Sequence, residues 1–377
     1  MTKGEHNTAV LQFALYTVNI NFLMKIIRSK KLMKYPLLFF VVVIAASCSA
    51  IFDDDTGEGN DMVIIPAADF MMGGMDEMKR QDEMPPHRVI LDEFQMDSTE
   101  VTNNQFSKFV DETGYVTSAE TRPTWTKIKK YLPPDTPRMR ESRLYGGSLV
   151  FSIPEEEAKI LDMKDVDVWW LWLPFANWKH PIGQGSTIRR LGKHPVVHVS
   201  WKDAHAYCKW VGKSLPTEAQ WEWAARGGRP SNTYPWGVEK IDQGKSKANT
   251  WSGTFPVMNT GMDGYMITAP VKSFKPNGYG LYDMAGNVWE WTADWYVEDY
   301  YAEVNRPDGV KNPTGPKAPK DPGEPKKVRR GGSYLSTDNY RPGYRVAYRS
   351  KESTDIGLSD TGFRCVKDAG LDKKAEE

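Results

Sequence analysis

Cysteine, net charge and clustered metal ligands are scarce in this chain of 377 residues, and each scarcity limits what the protein can be. Three cysteines allow at most one disulfide bond within the chain. Lysine plus arginine number 49 and aspartate plus glutamate number 49, so no basic surplus indicates nucleic acid as a partner. His194, His198 and His205 lie close in sequence, but no further ligand at zinc spacing accompanies them. We interpret these histidines as core or strand-end residues.

The plentiful residues are those of turns and aromatic packing. The chain has 14 Trp, 31 Gly and 25 Pro, which indicates a loop-rich domain whose turns are held by large rings. An irregular section between Thr124 and Lys193 contains, among others, Trp169, Trp170, Trp172 and Trp178. We favour core packing for them, the alternative being one wall of a binding groove.

The N-terminus has the order of a bacterial targeting segment. A basic stretch that contains Lys25 and Lys34 precedes an apolar run, Pro36 to Ala46, which is too short for a comfortable membrane span. Ala45-Ala46-Ser47-Cys48 then resembles a lipobox, in which the cysteine is lipidated and becomes the first residue. The alternatives are an ordinary cleaved signal with an incidental cysteine and a cytoplasmic protein with an apolar tail. We predict a lipid anchor at Cys48, and a true start at Met24 or Met33.

The rest of the chain divides by composition. Residues 1–47 form the signal segment and residues 48–60 an acidic tether, whose composition resembles a surface-export signal. Residues 61–368 form one domain and residues 369–377 a charged tail. These features predict a protein of the bacterial cell envelope, on the periplasmic or surface face of the outer membrane.

Local patterns predict short elements within the domain. Residues 62–66 and 87–92 have strand character. Thr102 is a predicted helix cap, and Ser200 with Asp203 and Thr217 with Gln220 are predicted capping boxes. The second box opens a helix that Gly227 should end. Residues 305–327 are rich in Pro, Gly and Lys and predict an exposed loop.

A series of motifs covers nearly the whole domain. The most specific are His194 to Trp201, Leu215 to Glu222, Gly286 to Trp291, and the C-terminal run Gly331 to Arg341 followed by Gly362 to Cys365. In this order they resemble the formylglycine-generating enzymes, or sulfatase-modifying factors. The resemblance implies an α+β fold related to C-type lectins, with few short helices, twisted antiparallel strands and long loops. It does not extend to the helical metal-binding domain of the related sulfoxide synthases.

The resemblance also implies an active site that has changed. Two cysteines of the family bind copper(I), and the matching positions here carry Ser336 and Arg341. Copper(I) selects soft thiolates, and neither a hydroxyl nor a guanidinium replaces them. We therefore expect no copper and no copper-dependent oxidation. Ser333 and Trp289 match groove positions of the family, and together with Tyr340 we expect them to line a groove that can still bind an extended peptide.

Two clusters of oxygen-bearing residues predict structural calcium. Ca²⁺ takes six to eight hard oxygens from carboxylates, amides and backbone carbonyls. The residues alone equally allow Asx-turns and caps; the family match places calcium ligands at both clusters. The first cluster is Asn249, Thr250, Asp263 and Tyr265. The second is Asp283, Gly286, Val288 and Glu290.

The resemblance further pairs Cys208 with Cys365, while the second cysteine pair of the family is missing at Ala225 and Val346. The predicted function is a lipid-anchored envelope protein that binds sulfatases or other exported polypeptides without oxidising them. One alternative is a genuine formylglycine-generating enzyme with a divergent site. The other is a scaffold lipoprotein of a secretion or gliding-motility machine.

Overall fold

The computed structural model describes residues 61–129, 132, 135–153, 168–320 and 323–368. The predicted signal segment, Cys48, the acidic tether and the charged tail lie outside the described residues. Within them, no helix combines the length and the apolar character needed to cross a membrane.

Short strands and short helices alternate with long loops. The strands are β1 (Met62–Ile65), β2 (Ala68–Met72), β3 (His87–Leu91), β4 (Phe94–Asp97), β5 (Gly147–Phe151), β6 (Trp170–Pro174), β7 (Trp289–Trp295), β8 (Val310–Lys311), β9 (Lys326–Arg330), β10 (Ser350–Ser353), β11 (Thr361–Gly362) and β12 (Val366–Asp368). The helices are α1 (Asn103–Thr113), α2 (Trp125–Ile128), α3 (Trp201–Trp210), α4 (Glu218–Arg226) and α5 (Tyr300–Val304), with 3-10 turns at Gln81–Glu83 and Glu141–Arg143. The expected α+β class is confirmed.

The strands form several small sheets. Their orders are β1-β4-β12, β10-β9-β7-β11, β2-β3-β8 and the hairpin β5-β6. Most pairs are antiparallel, as expected, but β3 pairs with β8 and β7 with β11 in parallel. These parallel pairs join segments that are distant in sequence, so no local turn signal could have indicated them.

The predicted helix caps are present. Thr102 begins α1 in a capping box with Gln105, and Ser200 and Thr217 begin α3 and α4 in the same way. Gly227 ends α4 in the left-handed conformation, with φ of 60°. The predicted loop 305–327 is wrong at its end, because Lys327 is buried in β9, where its side chain lies between Trp201 and Trp295.

Two large apolar clusters support the domain. One packs α4 against β2, β3 and β4. The other contains Phe106 and Phe109 of α1, Tyr207 of α3, and Phe363. Cys208 and Cys365 are bonded within this second cluster, with a Cα–Cα distance of 5.7 Å, which confirms the predicted disulfide. Trp169 and Trp178 are fully buried, as the packing interpretation predicts.

Candidate functional site

The Ser336 position lies in a tight turn that follows β9. Gly331 and Gly332 have φ of 93° and 76°, and a Cβ on Gly332 would lie 2.8 Å from the backbone of Gly343. Glycine is therefore required here, because both the dihedral and the close approach exclude a side chain. The Ser333 N–H donates to Ser336 Oγ at 3.0 Å, and the Ser336 N–H donates to the Ser333 carbonyl at 2.9 Å. The two serines thus close the turn on each other.

The Ser333 hydroxyl is tied to a buried carboxylate. It donates to Asp360 Oδ2 at 3.2 Å and accepts the Leu335 N–H at 3.3 Å. Burial raises the pKa of Asp360, and the charges of Arg329 and Arg341 oppose that rise. Both Ser333 and Asp360 are inaccessible to solvent. The contact therefore fixes the rotamer of Ser333 and does not present its oxygen to a ligand.

Aromatic rings close the site on one side. The Tyr340 ring stacks on Phe255 with centroids 4.1 Å apart, and its hydroxyl accepts from the indoles of Trp169 and Trp170 at 3.3 and 3.1 Å. Trp289 is also buried, and a Cβ on Gly343 would lie 2.2 Å from its ring. Tyr340 and Trp289, expected on the wall of an open groove, are packed into the protein.

Arg341 is the partly exposed member of this group. Its guanidinium lies 5.2 Å from the centre of the Tyr340 ring. Burial by itself would lower the pKa of Arg341, but its electrostatic interactions with Tyr340, Asp360 and Glu352 raise it overall. Arg341 therefore places a permanent positive charge beside the Ser336 turn.

No free thiol is available to this site within the described residues. Cys208 and Cys365 are the cysteines of that part of the chain, and each is bonded to the other. We define the serine site as the group that the C-terminal run brings together: Trp289, Ser333, Ser336, Tyr340 and Arg341.

The first predicted calcium cluster is brought together around one carboxylate. Asp263 accepts the Thr250 N–H at 2.8 Å and the Tyr265 N–H at 3.0 Å. The side-chain NH₂ of Asn249 donates to the carbonyl of Ile267 and to Asn287 Oδ1. The side-chain oxygen of Asn249 therefore points away from those two acceptors. The four predicted residues are therefore neighbours, in the Asx-turn arrangement that the alternative interpretation predicted.

The second predicted cluster follows a left-handed turn. Asp283 and Gly286 have φ of 56° and 75°. The carbonyl oxygens of Gly286 and Val288 accept none of the backbone hydrogen bonds found in the described loops. Glu290 is bound by Arg364 through both oxygens at 2.7 Å. Carboxylates and open carbonyls therefore lie on one short segment.

The structure adds Glu100, which the sequence interpretation missed. Burial and the charge of Asp283 raise the pKa of Glu100 well above its usual range, and Glu290 acts in the same direction. Burial likewise raises the pKa of Asp283 to about 6. Glu100 lies between β4 and α1 and contacts this segment through Asn287, whose amide donates to it at 3.1 Å. Its position two residues before the predicted cap Thr102 was the available signal.

Glu100, Asp283 and Glu290, which we call the acidic cluster, therefore hold more negative charge than Arg364 neutralises. Such an excess is costly in a buried site and is relieved by protonation or by a bound cation. Among the described residues, no three or more His, Cys, Asp and Glu side chains are arranged to hold a metal by themselves. A hard cation here would need backbone carbonyls as well, which is the usual ligand set of Ca²⁺. The residues present fit that ion.

The fold and the site define a loop-rich α+β protein with a buried serine turn in its C-terminal run. Residues 49–369 match the sulfatase-modifying factor enzyme 1-like domain, and the chain belongs to this family. It is 44% identical over 311 residues to the mouse formylglycine-generating enzyme, covering 81% of this chain and 75% of that protein. It is 36% identical over 318 residues to the mouse inactive C-alpha-formylglycine-generating enzyme 2, covering 83% and 87%. The structure of PvdO from Pseudomonas aeruginosa has the same fold, with a TM-score of 0.53 at 24% identity, covering 82% of this chain and 94% of that one.

Proposed function

We propose that this chain is a lipid-anchored protein of the bacterial envelope that binds an exported polypeptide, such as a sulfatase, without copper-dependent oxidation of a cysteine. The observation that carries the proposal is the chemistry at positions 336 and 341. Ser336 Oγ accepts a backbone N–H within its own turn, and Arg341 carries a fixed charge. Relatives of this family include a protein named as inactive.

The ligand chemistry argues against copper. The resemblance places two copper-binding thiolates at these positions, and copper(I) is held by soft sulfur ligands. A serine hydroxyl stays protonated near neutral pH, and an arginine would bring a second positive charge to the metal. Cys208 and Cys365 cannot substitute, because they are bonded to each other in the second apolar cluster.

The support for polypeptide binding lies on the hairpin β5-β6. One end of this hairpin carries Trp170, which donates to Tyr340 of the serine site. The other end leads to an exposed aromatic pair, Tyr145 and Phe175, with ring centroids 4.7 Å apart. These rings line a cavity of about 280 Å³ with Glu120 and Arg122.

The backbone at this aromatic pair is strained. Phe175 has φ of 66°, a conformation that costs a bulky residue about 1–3 kcal/mol. Its N–H donates to the Gly146 carbonyl at 2.7 Å, which holds the ring in this position. Strain that presents an apolar ring to solvent beside two opposite charges is typical of a ligand-binding surface. An extended peptide with an apolar side chain and a charged one suits this surface.

Structural calcium is part of the same proposal. When bound, Ca²⁺ would supply the positive charge that the acidic cluster lacks and would hold the two loops of the predicted clusters. Asp263 would bind one ion, and Asp283, Glu290 and Glu100 would bind the other, each together with backbone carbonyls. The lipid anchor at Cys48 rests on the order of basic, apolar and small residues before that cysteine.

The test has an oxidation arm and a binding arm. Purified protein is incubated with copper, oxygen and a Cys-x-Pro-x-Arg peptide, and mass spectrometry searches for the aldehyde. We expect none, and formation of aldehyde by the wild-type protein would contradict the proposal in favour of a divergent enzyme. The same assay on the variant that combines Ser336→Cys with Arg341→Cys reports whether thiols alone restore the activity.

The binding arm uses the same peptide with alanine in place of cysteine, labelled with a fluorophore. Its anisotropy should rise with added protein, and Tyr145→Ala should weaken the affinity at least tenfold. Ile64→Ala is the control, because Ile64 is at least as exposed as Tyr145 but lies on β1. No binding by the wild-type protein, or equal weakening by both variants, would remove this surface as the polypeptide site.

A further inference from the structure

A second cavity of the described domain lies away from the serine site. Its volume is about 810 Å³, and it opens between residues 227–247 and residues 262–285. No residue of the serine site lines it, and it shares no residue with the smaller cavity at Tyr145. Neither the proposed polypeptide site nor the serine site accounts for it.

Methionine dominates the surface next to this cavity. The loop that follows Phe255 exposes four large apolar side chains, each more than half accessible to solvent: Met258, Met262, Met266 and Ile267. Met262, the most exposed at 82%, forms part of the cavity lining. Flexible, polarizable methionine side chains adapt to differently shaped apolar partners. Several solvent-exposed methionines in one surface patch therefore indicate a site of contact with another protein.

The position of this loop is fixed by hydrogen bonds, so the methionines are held at the surface. Asp263 accepts the N–H groups of Thr250 and Tyr265, and Asn259 accepts those of Ser252 and Gly261. These side chains organise the backbone on both sides of Met262. The exposure of Met262 is therefore a property of the folded loop.

The charges of the cavity favour a negative ligand. Arg229, Lys245 and Lys275 line it and form no salt bridge in the described part of the chain, whereas Lys247 pairs with Glu239 at 3.4 Å. The other acids of the lining are Asp263 and Asp283, which accept backbone N–H groups, Asp283 that of Lys272 at 2.8 Å. The three cations outnumber these two carboxylates, so the lining keeps a positive excess for a ligand.

Trp236 and Phe274 add aromatic surface between these cations. Trp236 stacks on Tyr234 with centroids 5.1 Å apart and rings nearly parallel. Phe274 packs edge-on against Tyr265. Both rings are half-buried, so each presents an edge to the cavity from a supported position.

We propose that this Met-rich cavity, defined by Arg229, Trp236, Lys245, Met262, Phe274 and Lys275, is a second docking site that binds an acidic, apolar segment of a partner polypeptide. The apolar side chains of the partner contact Met262, Trp236 and Phe274. Its carboxylates pair with Arg229, Lys245 and Lys275. Charge attraction of this kind speeds association and falls with ionic strength.

The test uses two synthetic peptides of equal length, one alternating leucine with glutamate and the other alternating leucine with lysine. Both are fluorescently labelled and titrated with the folded protein. We expect the glutamate peptide to bind at least tenfold more tightly than the lysine peptide, and more weakly as salt is raised. The double variant Arg229→Glu with Lys275→Glu should remove this preference. Met262→Ser should weaken the affinity for the glutamate peptide at least fivefold.

Matched controls separate the site from general charge. Lys108→Glu reverses an exposed charge on α1, and Met75→Ser removes an exposed methionine outside the cavity lining. Neither should change the affinity. Equal effects of site and control variants, or a preference for the lysine peptide, would overturn the proposal.

A membrane partner is distinguished in the same series. Vesicles of anionic lipid are offered in place of the peptides, and binding is measured by sedimentation. The wild-type protein could bind the vesicles but not the peptides, and the Met262→Ser variant could lose the vesicle binding. That result would identify the partner as a lipid surface instead of a polypeptide. If peptides bind at this cavity but not at the surface around Tyr145, the proposed function is contradicted and the second docking site is not. The two proposals can therefore fail separately.

Discussion

Breaking the Cys208–Cys365 disulfide should cost this domain a large part of its stability. The bond joins α3 to the residue before β12, and 157 residues separate its two ends in sequence. Both cysteines are fully buried among Phe106, Phe109 and Phe363. A cross-link of this span restricts the unfolded chain over nearly half of the sequence.

The magnitude follows from the length of the closed loop. The chain-entropy relation gives about 5 kcal/mol at 25 °C for a loop of this size, with strain in the folded state lowering the value. The free energy of unfolding of a domain is about 5–15 kcal/mol, so breaking the disulfide should remove a third or more of it. Reduction of the wild-type protein keeps both sulfur atoms in the core. The combined variant Cys208→Ala and Cys365→Ala also removes them and should lose about 1–2 kcal/mol more.

The assay is guanidinium unfolding of the oxidised, reduced and double-alanine proteins under equal conditions. We expect the midpoints to fall in that order. Reduction should also increase the slope of the transition, because the unfolded chain becomes less compact. A loss below about 1 kcal/mol on reduction would refute the argument, since the cross-link would then not be what limits the unfolded chain.

Three further predictions concern other parts of the chain. Chelation of calcium should lower the melting temperature, since calcium at a hundredfold excess over Kd adds about 2.7 kcal/mol to the free energy of unfolding. Asp263→Ala or Glu290→Ala should abolish this response. Identical melting with and without chelator would show that both clusters are plain turns. Burial lowers the pKa of Lys327 from 10.5 to about 8, so the folded protein releases this proton before the unfolded chain does. The unfolding free energy should therefore rise by about 3 kcal/mol between pH 8 and 10.5 relative to Lys327→Met, and a flat difference in denaturant titrations would contradict this sign. Cys48→Ala should release the protein from membranes or block its processing, whereas unchanged membrane retention and mass would exclude the anchor.

Local elements could be predicted where their signal lies within a few residues. The capping boxes at Thr102, Ser200 and Thr217 depend on a hydroxyl and a side chain three positions later, so their sequence defines them. The strands at residues 62–65 and 87–91 followed from short apolar runs. The family motifs indicated the cysteine pair and the two oxygen clusters.

Accessibility could not be predicted in the same way. Tyr340 was expected to line an open groove, but Phe255, Trp169 and Trp170 cover it, and Trp169 is 171 residues away in sequence. The pattern that places Tyr340 near Ser336 contains no information about the rings that close over it. Lys327 was likewise assigned to a loop from its Pro-rich and Lys-rich surroundings, and only the contacts of β9 show that it is buried.

The sequence by itself determined the helix caps, the cysteines available for pairing and the absence of thiols at positions 336 and 341, because each is a property of residue type or of neighbours along the chain. The tertiary structure decided the parallel pairs β3-β8 and β7-β11, the burial of the serine site, and the meeting of Glu100 with Asp283 and Glu290. Asn287 and Glu100 are 187 residues apart, yet they are hydrogen-bonded. Contacts of that span depend on how the whole chain packs, so the charge excess of the acidic cluster arises only in the folded protein.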